Sequence, residues 1–151
     1  MFMRRPRRAG TEKKHGNIHT TVDGITFDSK REAARYKHLL LAAETGAIRD
    51  IKIQPTFTLQ EKCTFIDAKA RADKLKAGKK YKPSVLRPIT YTPDFQYTVV
   101  NTIDLVCGRY TIRLEAGEEV IEDVKGFKTE TYKVKRKLFL AKYPNFIFIE
   151  T

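Results

Sequence analysis

Three short stretches place carboxylates and a lysine where a purely structural sequence has little use for them. In "TYTPDF" (residues 90–95), Tyr91, Pro93, Phe95 and Tyr97 alternate with Thr90, Thr92, Asp94 and Gln96, the period of a half-buried strand. Proline cannot donate to a sheet ladder, so Pro93 belongs at an edge or a bulge, and Asp94 points away from the aromatic side. In "EDVKG" (residues 122–126), strand periodicity puts Asp123 and Lys125 on one face and Glu122 and Val124 on the other. Glu32 falls in the first turn of an expected helix. Carboxylates and a lysine in such a set suit metal-assisted phosphodiester hydrolysis. Mg²⁺ prefers oxygen ligands and is commonly held by one or two carboxylates, water and substrate phosphate. The ion acidifies its water and offsets charge on the phosphate, and a neighbouring lysine orients the water or stabilises the transition state. Asp94 and Asp123 become neighbours if their strands pair.

Each residue also has a plainer reading. Glu32 lies three after Ser29, so "SKRE" forms a capping box, a role compatible with a second one. Pro93-Asp94 is a common turn dipeptide. Asp123 and Lys125 fit an exposed charge pair, worth about 0.2–1 kcal/mol. The combination of the two motifs, followed by a basic helix, is more specific than any part of it.

The elements that must position these residues are legible in outline. "TTVDGITFDS" reads as a hairpin turning at Asp23-Gly24. "SKREAARYKHLLLAAETG" reads as a helix capped by Ser29, with Ala33, Tyr36, Leu40 and Ala43 on one face and Gly46 at its end. "AIRDIKIQPTFTLQ" is a strand broken at Pro55, and 103–115 a hairpin. "EVIEDVKG" is a strand ending at Gly126. A second helix starts at Thr129 or Thr131 with Tyr132, Leu138 and Phe139 inward, and "NFIFIET" closes as a strand. Residues 63–85 form a basic loop or insertion, helical at most in its first half. The order favours an α/β (α+β) class, a mixed central sheet flanked by helices. Residues 1–19 read as a flexible basic arm before a single domain over 20–151.

The chain carries a net charge of +12, and two segments hold all of it. Residues 1–20 have six Lys/Arg, among them Arg4, Arg5, Arg7 and Arg8, against Glu12; residues 69–88 have eight, among them Lys79 and Lys80, against Asp73. Concentrated positive charge suits a polyanion, nucleic acid first. No apolar run nears the roughly 18 residues of a membrane span, so no membrane role is expected. Cys63 and Cys107 have no metal or redox spacing; they read as small core residues of a reducing cytoplasm. In the second helix, Lys128 and above all Lys135 are candidate phosphate contacts. Gln54 is a candidate neighbour of the site. His15 and His19 are four apart but have no third ligand, and His38 reads as a helix-surface residue.

"TPDF" followed by "EDVKG" resembles the bipartite signature of the PD-(D/E)XK nuclease superfamily. More narrowly, "VDGITFDSKREAARY", "IQPTFTL", "ITYTPDFQY", "VIEDVKGFKTETYKVKRKLF" and "YPNFIFIE" together resemble a small family of phage-encoded nucleases bearing it. The resemblance covers about 20–60 and 86–151, and five ordered blocks are far more specific than the short motif. It implies a restriction-endonuclease-like sheet, with Asp94 and Asp123 as metal ligands and Lys125 as the catalytic lysine. Glu32 is the first-helix carboxylate, completing the metal site or supporting it. It also implies a Mg²⁺-dependent endonuclease, with Mn²⁺ substituting. The expected substrate is branched DNA, with Holliday-junction resolution foremost. A homodimer making paired cuts is expected, in the cytoplasm of a phage-infected or prophage-carrying bacterium. A nicking, flap or duplex nuclease and a non-catalytic DNA-binding accessory protein are the rival readings.

Overall fold

Asp23 and Gly24 both take positive φ (51° and 79°), the conformation of a tight two-residue turn. They join β1 (Thr20–Val22) to β2 (Ile25–Phe27) as the expected hairpin. The computed structural model describes residues 19–107, 109–124 and 126–151. Lys125, His15 and the arginines of the basic arm (Arg4, Arg5, Arg7 and Arg8) therefore lie outside the described residues.

Ser29 caps α1 (Lys30–Glu44). Its hydroxyl oxygen accepts from the Glu32 N–H at 3.2 Å and donates to Glu32 Oε1 at 2.8 Å, a capping box. Ala33, Tyr36 and Leu39 are its buried apolar positions; Leu40 and Ala43 pack half-buried against the same core. The chain then forms β3 (Ile48–Ile53) and, beyond Pro55, β4 (Phe57–Gln60). Next come β5 (Cys63–Phe65), α2 (Ala68–Lys76) and β6 (Ser84–Leu86), then β7 (Ile89–Tyr91) and β8 (Phe95–Val99). The hairpin of β9 (Ile103–Cys107) and β10 (Tyr110–Leu114) precedes β11 (Glu119–Asp123). Finally α3 (Glu130–Lys142), capped by Thr129, leads to β12 (Ile147–Glu150).

The central sheet has the order β12-β11-β8-β3. It is mixed, with β11 parallel to β12 and antiparallel to β8, and β8 antiparallel to β3. Side chains alternate across it, so each strand feeds two cores. On one face α1 and the first hairpin cover Phe95, Tyr97, Val99, Val120 and Ile149. On the other, α3 and the small β4-β7 sheet enclose Tyr91, Ile121, Tyr132 and Phe139. The protein is thus a mixed sheet flanked by helices, as expected. Among the described residues no helix is long and apolar enough to cross a membrane.

Five expectations are corrected. The alternation through residues 90–97 is not one strand: β7 pairs with β4, whereas β8 belongs to the central sheet. Pro93 has no N–H for a ladder, and the break around it moves Tyr91 into the opposite core from Phe95 and Tyr97. The basic stretch has the short helix allowed for it, α2, but is not otherwise loop, since β5 and β6 pair antiparallel around that helix. Leu138 and Cys63 are exposed, and Cys107 alone of the two cysteines is buried. The strand read as ending at Gly126 leaves the sheet at Asp123, where its ladder ends.

Phe139 is fully buried, and the rings of Phe57, Tyr91 and Tyr143 lie 5.0, 5.3 and 5.3 Å from its own. Phe139→Ala should destabilise the fold by about 3–5 kcal/mol, read from urea unfolding; a loss under about 1 kcal/mol would deny this cluster its role in the second core.

Candidate functional site

The two halves of the acidic motif meet because β8 and β11 pair. Their last ladder pair is Glu122↔Phe95. One step further, the Asp94 N–H donates to the Glu122 carbonyl at 3.1 Å, and Asp94 Oδ2 accepts from the Val124 N–H at 2.7 Å. Asp94 is therefore clamped to the backbone between Asp123 and Lys125. Asp94 and Asp123 are both buried and share the sheet face that Ile121 occupies. The neighbourhood of two carboxylates that was conditional on strand pairing is realised.

The period-two assignment holds for Glu122 and Asp123, the part of it that falls on described residues of β11, and it gives each carboxylate a separate environment. Glu122, with no exposure, points toward α1. Arg35 Nε and Nη2 donate to its two oxygens at 2.5 and 2.9 Å, and the Tyr97 and Thr151 hydroxyls donate at 3.1 and 3.0 Å. Burial and the Glu122 charge raise the Tyr97 phenol far above its ordinary range, so it remains a donor. Asp123, also fully buried, points the other way and accepts from the Tyr91 hydroxyl. Burial, that hydrogen bond and the Asp123 charge push the Tyr91 phenol up in the same way.

A third carboxylate stands beside this pair. Glu150 is the parallel-ladder partner of Asp123, and the Thr151 N–H donates to the Asp123 carbonyl at 3.1 Å. Glu150 accepts from Lys128 Nζ and the Tyr132 hydroxyl, each at 2.5 Å, and Arg136 Nε lies 3.2 Å away. Burial opposes its ionisation, but the Lys128 and Tyr132 hydrogen bonds and the Arg136 charge prevail and lower its pKa. Sequence reasoning missed Tyr91, Tyr132, Arg35 and Glu150. Only Glu150 carried a signal, as the acidic end of the closing strand.

The remaining candidates sit as follows. Glu32 is buried and committed to the cap, its second oxygen accepting from the Asp28 N–H at 3.3 Å. Its helix turn lies close to the end of the motif, for a side chain added at Gly126 would meet Arg31 Nη1 at 3.8 Å. Gln54 is exposed and takes positive φ (49°); its backbone reaches the site, the N–H donating to the Asp94 carbonyl at 2.9 Å. Lys128 is tied to Glu150. Lys135 is half-buried beside an apolar cavity of about 500 Å³ with Val134 and Leu138. Lys79 and Lys80 are exposed beyond α2. Among the described residues no three His, Cys, Asp or Glu side chains are grouped to hold a metal. Two carboxylates completed by water and substrate phosphate remain within what Mg²⁺ accepts.

Comparison with known proteins gives one match. Residues 12–149 match a family described as proteins of unknown function, DUF1064. No curated protein and no solved structure matches the chain.

Two outcomes test this geometry. Tyr91→Phe removes a donor from a buried carboxylate and should destabilise the fold by about 1–3 kcal/mol in urea unfolding at neutral pH; an unchanged midpoint would separate Tyr91 from Asp123. Glu150 titrates lower folded than unfolded, so its pairing is fully present above the ordinary carboxylate value of about 4.3 and is lost as pH falls through the lowered folded value. Glu150→Gln should therefore flatten the acid limb of the stability–pH curve, and an unaltered limb would contradict the pairing.

Proposed function

The chain belongs to the family DUF1064, and on that premise we propose that it is a metal-dependent DNA endonuclease of the PD-(D/E)XK kind, acting on branched DNA. One observation carries the reading: the Asp94 carboxylate accepts from Val124 N–H at 2.7 Å, so the Pro-Asp and Asp-Val-Lys parts of the motif meet. A spacing that arose by chance in sequence has no reason to converge at one end of the two central strands.

In this reading Asp94 and Asp123 hold Mg²⁺ or Mn²⁺, which supplies charge neutralisation at the scissile phosphate and acidifies water. Tyr91 keeps Asp123 aimed, because its phenol stays protonated and donates. The Val124 N–H fixes Asp94. Lys125, next along the chain, supplies a positive charge for the attacking water or the transition state. Glu32 supports the site from the first turn of α1. The substrate class follows from the resemblance: a Holliday junction, cut in pairs by a homodimer in the cytoplasm of a phage-carrying host.

The test incubates the protein and Mg²⁺ with labelled four-way junction, flap and linear duplex, alongside Asp94→Asn and Lys125→Ala. Junction cleavage is expected, and each variant should lose about 100-fold or more of it while still binding DNA in EDTA. Equal cutting of all three substrates keeps the nuclease and removes the junction preference. Binding without cleavage in either Mg²⁺ or Mn²⁺ leaves an accessory DNA-binding protein and ends the enzyme reading.

A further inference from the structure

The β5-α2-β6 excursion (residues 63–86) carries seven Lys/Arg against Asp67 and Asp73, a net +5 of the chain's +12, and contributes little to either core. No residue of α2 is buried, and Ile66, Leu75, Val85 and Leu86 are exposed. Its shape is nonetheless defined. Asp67 caps α2 by accepting from the Ala70 N–H at 2.9 Å, and the Asp67 N–H donates to the Tyr81 hydroxyl at 2.8 Å. That second bond draws the returning chain back against the helix. Between them lies a cavity of about 340 Å³, lined by Lys74, Lys80 and Lys82 with Tyr81 and Ser84.

The charge of this cavity is uncompensated. No carboxylate lines it, and among the described residues none of its three lysines forms a salt bridge. The basic cavity on α3 differs, since Lys128 and Arg136 are engaged by Glu150 and Lys133 by Glu130 at 2.7 Å. Three ammonium groups facing one concavity repel each other and are relieved by an anion held between them. A hydroxyl at Ser84 adds a donor of the kind that phosphate oxygens accept.

We propose that the cavity between α2 and residues 80–84 seats backbone phosphates of a nucleic acid, with Lys74, Lys80 and Lys82 as the contacts. This binding does not require the cleavage reading: it places a sequence-independent grip on an excursion separate from the carboxylates. A concave seat fits a ridge of discrete phosphates better than the plane of an anionic bilayer, and a second basic segment over residues 1–20 fits a long polyanion.

The test measures binding of a fluorescein-labelled DNA duplex and four-way junction in EDTA across a salt series. Wild type is compared with Lys74→Ala/Lys80→Ala/Lys82→Ala and with a charge-matched control, Lys30→Ala/Lys37→Ala/Lys52→Ala, from exposed positions elsewhere. The cavity variant should shallow the slope of log K against log salt by about 2.7, at about 0.9 per phosphate contact, and the control by less than about 1. Both should keep the wild-type unfolding midpoint; if the triple variant does not, Lys80→Ala alone is read and should shallow the slope by about 0.9. Equal slopes for cavity and control variants overturn the proposal, as does wild-type binding to phosphatidylserine vesicles in preference to DNA. A protein that binds this way and never cuts leaves the seat standing and removes the nuclease.

Discussion

The arrangement rests on a carboxylate that has no access to water. Glu122 sits fully buried in the middle of the sheet, and an isolated buried charge of this kind is untenable. Arg35 meets it with two hydrogen bonds, and Tyr97 and Thr151 occupy its remaining acceptor positions. Such a pair contributes little net stability over an apolar replacement, but removing one partner is severe, about 3–5 kcal/mol. Its value is positional. It pins α1 to β11 at one register, and strand alternation then sends Asp123 to the opposite face.

Pro93 acts on the same geometry from the other side. By interrupting the ladder it lets one aromatic run serve two cores: Tyr91 joins α3 and reaches Asp123, while Phe95 and Tyr97 pack toward α1. The peptide groups freed by the interruption are taken up locally. Asp94 bonds across to Glu122 and Val124, and Gln54 adopts a left-handed backbone, at about 1–2 kcal/mol, to bond the Asp94 carbonyl. The irregularity and the site are thus one feature. Edge and bulge positions are where a strand can present a polar side chain without losing its partners.

Charge is distributed to match. The four buried carboxylates, Glu32, Asp94, Glu122 and Asp123, are each partnered inside, whereas exposed lysines and arginines cluster on α2 and α3. The cations around α3 are partly engaged: Glu150 ties Lys128 and Arg136 to β12 and Glu130 pairs with Lys133, which leaves that cavity a net +2. The cavity beside α2 has no lining carboxylate to offset its three lysines.

By itself the sequence determined the local elements and the candidate chemistry. Turn residues at Asp23-Gly24, the Ser29 and Thr129 caps and the alternation of β11 are decided by interactions within a few residues, so they are readable directly. The same holds for Asp94 and Asp123 as the residues of interest. The tertiary structure decided everything that depends on which strands pair. It placed Asp94 against Val124 and made Glu150 a neighbour of Asp123 across a parallel ladder. It also gave Asp123 a tyrosine from a segment whose periodicity had assigned it to the other face. Periodicity carries a side chain's direction only while the ladder continues. Where Pro93 breaks it, direction is set by long-range packing, which no local pattern encodes.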